Sequence, residues 1–450
     1  MLTPPDPPPR STLGELHRRR VRMMLRVGSA LLVVLGVGWG LFFIQKGAWA
    51  IVVADAVMLW VGITIAVLTY RKRTRIAFFL LVGSMFVLIC AMSLLLDIPT
   101  AQVPRSTHHF LLVLAVASLL FLRDDRALLR YAVTGACFAA FVVLASTNLG
   151  IDSVYALPDS MRWGGTWVNN TFSAIGVYSL MHILIADLAE HSSMEIDLRK
   201  GLVRGEFFLV YQPQVTSQGQ VTGAEALLRW RHPKLGLVPP DEFIPLAEQT
   251  GLILPLGSWV LGTACTQLVA WSGQVGMAGL TLSVNVSVHQ FRQPDFVQQV
   301  QSVMDRTGVR AQQLKLELTE SSLAHDMEDI ILKMEKLKAL GVGFSLDDFG
   351  TGYSSLNYLK RLPLDQLKID QSFVRDVLTD PNDAAIACMV IGLGKSLHFT
   401  VIAEGVETEG QRAFLVQNDC HRFQGYLFSK PVPSEQFAEY FLKHTAASHV

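Results

Sequence analysis

The feature that most constrains this chain is a series of long apolar runs, all within its first 190 residues. Six runs lie at roughly 25–45, 47–70, 75–96, 107–122, 128–146 and 168–189. Each run approaches the roughly 20 residues that a helix needs to cross a bilayer. We therefore predict a membrane domain of six transmembrane helices over 25–190, preceded by a disordered basic tail over 1–24.

A signal peptide or a soluble helical core would fit these runs less well. A cleaved signal peptide would account for the first run alone and leave the remaining five unexplained. A buried helical core in a soluble domain rarely repeats apolar runs of this length. The formal net charge of zero gives no reason to expect a nucleic acid polymer as a partner.

The basic residues predict how the six spans are oriented. "HRRRVRMMLR" precedes the first span, "YRKRTR" lies between the second and third, and "RDDRALLR" lies between the fourth and fifth. The loops on the opposite side carry few cations. Because cationic loops stay in the cytoplasm, we expect both chain termini there and membrane lipid around the spans.

Few polar residues of the predicted membrane domain suggest chemistry. His108, His109 and His182 are its histidines beyond the tail, and the adjacent pair could bind a metal or haem at the outer surface. We favour the simpler interpretation that the histidines, like Asp55 and Asp187, are polar residues near the membrane interface.

The second half of the chain has a different rhythm, in which short strand-like runs alternate with amphipathic helical stretches. A charged, helix-prone connector at 191–205 leads into it. Eight strands are predicted at 207–213, 221–230, 280–287, 314–320, 341–349, 364–370, 399–407 and 422–430. This alternation predicts an α/β domain over 206–450, a (β/α)8 barrel of the TIM type, with a doubly wound open sheet as the alternative.

Polar side chains fall within or at the ends of nearly every predicted strand. They are Glu225, Asn285, Glu317, Asp347, Asp348, Lys368, Glu404 and Gln424. In a barrel of this kind, side chains at the carboxyl ends of the strands converge on one rim. A single acid in a strand is commonly structural, but a whole series of them predicts a site.

Converging carboxylates repel one another unless cations neutralise them. The acids and the amide supply only oxygen ligands, which favours Mg²⁺ or Mn²⁺ over structural zinc. The adjacent Asp347 and Asp348 suit two metal ions that share a carboxylate, an arrangement typical of phosphoester cleavage. Lys368 adds a cation that could orient water or stabilise developing negative charge.

The ordered motifs of this half resemble those of the EAL-domain phosphodiesterases. The matching stretches are "EALLRW" (225–230), "NVS" (285–287), "LELTES" (316–321), "DDFGTGYSSL" (347–356), "KID" (368–370), "AEGVET" (403–408) and "QGY" (424–426). The resemblance covers about 200–445 and implies hydrolysis of cyclic di-GMP to linear pGpG. It also implies a TIM barrel with one altered strand direction, two Mg²⁺ or Mn²⁺ ions and a homodimer.

The resemblance further implies roles for individual residues. Glu225, Asn285, Glu317 and Asp347 resemble ligands of the first metal, with Asp347 bridging to the second and Asp348 beside it. Glu404 resembles either the acid that supports the second metal or the general base. Lys368 resembles the lysine that orients the attacking water. Supporting residues are Glu407 and Gln424, and weaker candidates for substrate contacts are Gln212 and Arg229.

Glu320 resembles the glutamate that anchors a regulatory loop, which in this family couples the dimer interface to metal binding. The loop comprises Asp347, Asp348, Phe349, Gly350, Thr351, Gly352, Tyr353, Ser354 and Ser355. The whole chain thus resembles a phosphodiesterase of the bacterial inner membrane, regulated by a signal sensed in its membrane domain. A receptor that binds cyclic di-GMP without cleaving it, or a transporter with a regulatory domain, are the alternatives.

Overall fold

The structure, a computed structural model, describes residues 13–45, 47, 49–122, 127–151, 156–320, 327–350 and 359–446. The chain divides into two compact units, Met1–Ser193 and Met194–Val450. The first unit is helical, and the second contains a closed sheet surrounded by helices.

The helices of the first unit follow the predicted apolar runs. They are α1 (Leu13–Gln45), α2 (Trp49–Tyr70), α3 (Thr74–Leu95), α4 (Phe110–Phe121), α5 (Ala127–Ser146) and α6 (Asp159–Arg204), the last of which ends beyond the unit boundary. All six predicted spans are therefore helical, and all but α4 are long and apolar enough to cross a membrane. The fourth apolar helical stretch is shorter, at Thr107–Phe121.

Small residues allow two of these helices to pack closely. A Cβ atom added at Gly36 of α1 would lie 2.9 Å from the backbone oxygen of Asp55 in α2. One added at Gly62 of α2 would lie 3.1 Å from the backbone oxygen of Ser29 in α1. Glycine at such contacts lets two apolar helices approach until their backbones touch, which is a common way of packing membrane helices.

A buried ionic cluster fixes the loop between α3 and α4. The Asp97 carboxylate accepts hydrogen bonds from the backbone N–H groups of Ser106 and Thr107 at 2.7 and 2.9 Å, and from Arg162 Nε at 3.0 Å. Arg105 donates to the carbonyl oxygens of Asp97 at 3.2 Å and Leu144 at 2.6 Å. Burial alone would raise the pKa of Asp97, but these hydrogen bonds hold the pKa below its usual range.

The second unit contains a sheet that closes on itself. Its strands are β1 (Phe207–Thr216), β2 (Val221–His232), β3 (Gly236–Val238), β4 (Thr281–Asn285), β5 (Leu314–Thr319), β6 (Gly343–Phe349), β7 (Gln366–Ile369), β8 (Thr400–Ala403) and β9 (Arg422–Phe423). Their order is β1-β9-β8-β7-β6-β5-β4-β2-β3, and pairing of β1 with β2 closes an eight-stranded barrel. The predicted barrel is confirmed, and the open sheet is excluded.

One strand of the barrel runs against the others. β1 is antiparallel to both β2 and β9, whereas the pairings from β2 through β4 to β9 are parallel. The altered strand direction implied by the family resemblance is therefore present. The short β3 was not predicted, and it forms an antiparallel extension on β2 outside the barrel.

Helices surround the barrel. They are α7 (Pro240–Thr250), α8 (Ile253–Ser272), α9 (Val288–Phe291), α10 (Phe296–Thr307), α11 (Met327–Ala339), α12 (Gln371–Arg375), α13 (Pro381–Ser396), α14 (Glu409–Gln417) and α15 (Ser434–Ala446). By length and composition α8 could also cross a membrane, but one face of it packs into the core of the barrel unit. It is a barrel helix whose exposed residues, Pro255, Ser258, Thr266 and Ala270, are all uncharged.

Strand alternation separates the core from the lumen of the barrel. On β5, the side chains of Leu314, Leu316 and Leu318 join the hydrophobic core between sheet and helices. The alternate residues Lys315 and Glu317 point into the lumen instead, because successive side chains on a strand face opposite sides. The polar residues predicted to form a site occupy these lumen-facing positions.

Candidate functional site

The barrel strands bring most of the predicted site residues to one end of the lumen. Glu225 lies within β2, and Asn285 ends β4 opposite Glu317 of β5 in the parallel register. Lys368 lies in β7, and Glu404 directly follows β8. Because these strands are parallel, their carboxyl ends meet at one rim, which is where barrel enzymes place their chemistry.

Lys368 is the centre of this arrangement. Its side chain is fully buried, and its Nζ lies 2.6 Å from Glu317, 3.1 Å from Asp347 and 3.4 Å from Glu225. It also contacts the Glu404 carboxylate. Four carboxylates thus surround one ammonium group, and we call these five residues the acidic cluster.

The strand is distorted at the two adjacent aspartates, Asp347 and Asp348. The pairing of β6 with β7 shifts register between Leu346 and Phe349, and Asp348 adopts the left-handed conformation with φ of 55°. Its backbone N–H donates to Asp347 Oδ1 at 2.9 Å. The bend that two neighbouring carboxylates require is therefore made at Asp348 itself.

A chain of glutamine side chains holds Glu225 from the other side. Gln424 Nε2 donates to Glu225 Oε2 at 2.6 Å and to Gln212 Oε1 at 3.1 Å. Gln424 Oε1 accepts from Gln214 Nε2 at 3.1 Å, and Asn285 Nδ2 donates to Glu225 Oε1 at 2.6 Å. Every oxygen of the Glu225 carboxylate is thus fixed in direction, as expected of a preorganised ligand.

The acidic cluster shifts the proton affinities of its members in different directions. Burial would lower the pKa of Lys368, but the carboxylates around it, Asp347 first, raise the pKa well above its usual value. Burial raises the pKa of Glu317 to about 7, and nearby Glu225 and Asp347 add to this despite Lys368. Burial likewise raises the pKa of Glu404 well above its usual value. The single positive charge of Lys368 therefore does not neutralise the four carboxylates around it.

The residues fit a divalent metal site. Oxygen atoms of Glu225, Glu317 and Asp347 lie within 4.8 Å of one another. Glu317 Oε1 is buried and has no hydrogen-bond partner among the described residues. With all four carboxylates ionised and Lys368 charged, the acidic cluster carries a formal charge of −4 + 1 = −3. Hard divalent cations bound through oxygen are the usual way to neutralise such a charge.

Glu320 contacts the loop that it was predicted to anchor. Its side chain is buried, and its Oε2 accepts a hydrogen bond from the backbone N–H of Gly350 at 3.1 Å. Phe349 and Gly350 are described, and Gly350 has φ of 101°. The remaining predicted loop residues, Thr351, Gly352, Tyr353, Ser354 and Ser355, lie outside the described residues.

The structure places three other predicted residues at greater remove from the cluster. Gln212 is buried, and its Nε2 donates to the carbonyl oxygen of Ser429 at 3.2 Å. Arg229 is half-buried on β2 and donates to the carbonyl oxygen of Leu228 at 2.8 Å. The side chain of Glu407 is exposed. Their proposed roles stay predictions.

The histidines of the first unit occupy two different settings. His108 is buried in the short turn that precedes α4, with its ring centroid 4.3 Å from that of His109 and 5.2 Å from that of Phe141. His109 Nδ1 lies 2.7 Å from Asn170 Oδ1. His182 lies on α6 beside Tyr178. A metal or haem at these residues stays an untested alternative.

Two residues near the cluster were not singled out from the sequence. Gln214 bonds to Gln424, and its position two residues after Gln212 on β1 could have indicated the same face of the strand. Asp370 caps α12 by accepting from the backbone N–H of Ser372 at 2.9 Å, and it lies beside Asp348. Burial raises the pKa of Asp348 to about 6, and Asp347 and Asp370 contribute.

Comparison with known proteins identifies the second unit. A family model described as "EAL domain" matches residues 195–431. The bifunctional diguanylate cyclase/cyclic di-GMP phosphodiesterase MucR of Pseudomonas aeruginosa is 45 % identical over 252 residues, which are 56 % of this chain and 37 % of MucR. The cyclic di-GMP phosphodiesterase NbdA of the same organism is 43 % identical over 258 residues, 57 % of this chain and 33 % of NbdA.

A solved structure agrees with these relatives. The structure of a P. aeruginosa MucR phosphodiesterase in complex with c-di-GMP has a TM-score of 0.53 and 45 % identity, and the match covers 54 % of this chain and 99 % of that one. The chain spans about a third of the length of the curated relatives just named. The residues that the family model matches all lie within the barrel unit.

Proposed function

The chain belongs to the EAL domain family, and we propose that it is a phosphodiesterase that hydrolyses cyclic di-GMP to linear pGpG. The observation that carries this proposal is the acidic cluster, in which four carboxylates converge on Lys368 at the carboxyl ends of the strands. A domain that only bound the nucleotide would have no need of so much uncompensated negative charge. Relatives named as cyclic di-GMP phosphodiesterases support the same substrate.

In this proposal Glu225, Asn285, Glu317 and Asp347 hold one Mg²⁺ or Mn²⁺ ion. Asp347, together with Asp348 and Glu404, would hold a second such ion. Two such ions, when bound, activate a water molecule and stabilise the leaving oxygen of the phosphoester. Gln424 and Gln214 keep Glu225 directed at its ion through their hydrogen bonds.

Lys368 and Glu404 carry the proton chemistry in the proposal. Lys368 holds the carboxylates together in the absence of other cations, and its ammonium is placed to orient the attacking water. Glu404 lies at the rim of the cluster, where it either supports the second ion or accepts the proton of the water. Arg229 lies on the same strand as Glu225, four residues nearer the carboxyl end of that strand. Arg229 and Gln212 are proposed to contact the substrate, with Glu407 in a supporting role.

We propose that the enzyme is an integral protein of the bacterial inner membrane, with its EAL domain in the cytoplasm. The long apolar helices of the first unit support this location, and lipid is then a partner. The domain bounds remain 25–190 for the membrane domain, 191–205 for the connector and 206–450 for the EAL domain. A homodimer, and regulation through the loop that Glu320 anchors, complete the proposal.

The test is turnover by the purified full-length chain in detergent or lipid nanodiscs. Cyclic di-GMP is incubated with protein and Mn²⁺ or Mg²⁺, and nucleotides are separated by liquid chromatography. We expect linear pGpG to appear, EDTA to abolish it, and Glu225→Gln to reduce it by more than about 100-fold.

Two results would count against the proposal. If cyclic di-GMP binds but stays intact with either metal and in several lipids, the chain is a receptor, the alternative that the sequence left open. If pGpG appears at the same rate in EDTA or in Glu225→Gln, the acidic cluster is not the site of cleavage. Glu409→Gln serves as the matched control, because Glu409 is an exposed acid paired with Arg412 at 2.7 Å.

A further inference from the structure

The barrel has a cavity at the end of the lumen opposite the acidic cluster, lined by both polar and apolar residues. Its volume is about 670 Å³, and it lies where the strands begin. Its lining includes the first residues of several strands, among them Val221, Gln366, Thr400 and Arg422. We call it the basal cavity, and no predicted site residue in the part of the chain that the structure describes lines it.

Two cationic side chains face the basal cavity. Lys315 lies on β5, two residues before Glu317 and on the same face of the strand. Arg422 begins β9, and its Nη1 lies 3.5 Å from Thr222 Oγ1. Two residues along a strand span about 7 Å. Lys315 in the cavity is therefore separated by about this distance along the strand from Glu317 in the acidic cluster.

A buried hydrogen-bond donor in the lining is left without a partner. Gln366 is 2 % exposed, and its Oε1 accepts a hydrogen bond from Lys315 Nζ. Its Nε2 is buried and has no hydrogen-bond partner in the part of the chain that the structure describes. A buried donor without an acceptor is costly, and native proteins usually satisfy such a group with water or a ligand.

The other polar groups in the lining leave a surplus of positive charge. Asp365 also lines the cavity, but its carboxylate is engaged by Lys338 and by the backbone N–H of Phe344 at 2.9 Å. Thr222, Thr281 and Thr400 add hydroxyl groups. The cavity therefore offers ammonium, guanidinium, amide and hydroxyl donors, with one carboxylate that is already neutralised.

We propose that the basal cavity binds a compact oxyanion of the phosphate class, held by Lys315, Arg422 and the free Nε2 of Gln366. Charge-assisted hydrogen bonds from lysine and arginine are the usual means of holding phosphate. The lining also includes the apolar side chains of Val221, Leu280 and Phe441, so the cationic groups are what select an anion here. Free phosphate and the phosphate of a nucleoside monophosphate share this chemistry.

The test is isothermal titration of sodium phosphate into the purified full-length chain in detergent. EDTA is present throughout, so that the acidic cluster holds no metal and repels the anion. We expect saturable binding of one phosphate per chain. Lys315→Gln removes one charged donor and is expected to weaken binding by about 10- to 100-fold.

Two further variants make the test specific. Gln366→Glu keeps the shape of the side chain but places a carboxylate beside Lys315, and is expected to abolish phosphate binding. Lys336→Gln removes a positive charge from an exposed position on α11 and is expected to leave the affinity unchanged. Circular dichroism of each variant checks that it has folded. If Lys315→Gln does not fold, Gln366→Glu alone tests the proposal.

Guanosine 5′-monophosphate in place of phosphate identifies the source of the ligand. Tighter binding of the nucleotide, lost in Gln366→Glu, supports a nucleotide phosphate, whereas equal or weaker binding supports free phosphate. The proposal is overturned if phosphate shows no saturable binding up to about ten millimolar, roughly the limit of a weak specific site. It is equally overturned if Lys315→Gln and Gln366→Glu bind phosphate as the unmodified chain does.

Discussion

The helical unit and the barrel unit each bury a cluster of charged side chains, but the two clusters are balanced differently. Around Asp97, two arginines and one further acid, Asp159, bring the formal charge to −2 + 2 = 0. The Arg162 and Asp97 side chains are satisfied by each other and by neighbouring backbone groups. The acidic cluster of the barrel has a formal charge of −3, and a carboxylate oxygen of Glu317 lacks a partner among the described residues.

The comparison distinguishes a structural ion cluster from a binding site. Buried charges are stable when they are paired and fully hydrogen-bonded, as they are around Asp97. Charges that remain uncompensated in the folded chain require a partner from outside. Burial alone therefore does not indicate function; the unmatched charge does. Substitutions in the two clusters should separate the two cases, with effects that differ widely in size.

The largest effect is expected on turnover. Asp347→Asn keeps the shape of the side chain but removes a carboxylate shared by the acidic cluster. We expect the rate of cyclic di-GMP hydrolysis to fall by more than about 100-fold, because even residues behind metal ligands cost 10–100-fold when changed. The rate is measured by chromatography of pGpG. Asp97→Asn, compared at a temperature where it stays folded, should leave the rate within severalfold of the unmodified chain.

Stability should respond to Arg162 whether or not metal is present. Arg162→Gln leaves the buried Asp97 without its ion pair and should destabilise the helical unit by about 3 kcal/mol or more. Thermal unfolding in detergent measures the loss, with Arg199→Gln, an exposed arginine, as the control. If Mn²⁺ restores the stability of Arg162→Gln, the charges around Asp97 are not balanced within the chain.

Substitution of Lys368, unlike that of Arg162, should reduce stability by an amount that depends on the metal. Lys368→Gln removes the cation that the acidic cluster contains and, in EDTA, should destabilise the barrel by about 3 kcal/mol. Mn²⁺ should recover most of this loss, because divalent ions bound by the carboxylates replace the missing charge. Thermal unfolding in EDTA measures the loss of stability, and thermal unfolding with Mn²⁺ measures its recovery. A loss that Mn²⁺ does not change would show that the carboxylates cannot gather around a metal.

The pH dependence of stability in EDTA should reveal the same surplus of negative charge. The pKa of Glu317 is raised to about 7 and that of Asp348 to about 6, from ordinary values of 4.5 and 3.8. A carboxyl group whose pKa is higher in the folded chain than in the unfolded chain does not reduce stability at low pH, where it is protonated in both states. As pH rises from the unfolded-state pKa to the folded-state pKa, the unfolded chain loses the proton more readily, and the free energy of unfolding falls. The unfolding temperature should therefore fall between pH 5 and about pH 7.

Two comparisons isolate these groups from the rest of the chain. Saturating Mn²⁺ should flatten the fall, because bound ions favour the ionised carboxylates. Glu317→Gln in EDTA should also reduce it. An unfolding temperature that rises over this range, equally in the unmodified chain and in Glu317→Gln, would contradict the assignment.

The smallest effect is expected from the loop anchor. Glu320→Gln replaces a charged acceptor of the Gly350 N–H by a neutral one and should weaken metal binding by about tenfold, as outer-shell changes do. Titration with Mn²⁺ measures the affinity. Glu335→Gln, at an exposed position of α11, is the matched control. Equal affinities in the two variants would remove the proposed link between the loop and the cluster.

The sequence predicted the barrel and the cluster well because both depend on local patterns. Strand runs such as Leu314–Thr319 alternate apolar and polar residues, and this alternation alone places Glu317 in the lumen. The parallel connections then bring the strand ends together. The same logic could have placed Gln214, which shares a strand face with Gln212.

Other features depend on contacts that no local pattern contains. The bend at Asp348 arises where β6 and β7 change register, which depends on the pairing of two strands. The pairing of Asp97 with Arg162 joins residues 65 positions apart. The basal cavity likewise is formed by strand beginnings that are distant in sequence, and Lys315 alone gave no sign of it.

Direct counting of bound metal tests the central claim, that the uncompensated cluster of the barrel is a divalent metal site. The full-length chain is dialysed against Mn²⁺, and the bound ion is measured by mass spectrometry alongside a Glu225→Gln, Glu317→Gln, Asp347→Asn triple variant. The account predicts two Mn²⁺ ions per chain, both lost in the triple variant and both retained in Asp97→Asn. No bound Mn²⁺ in the unmodified chain, or the same number in the triple variant, would contradict it.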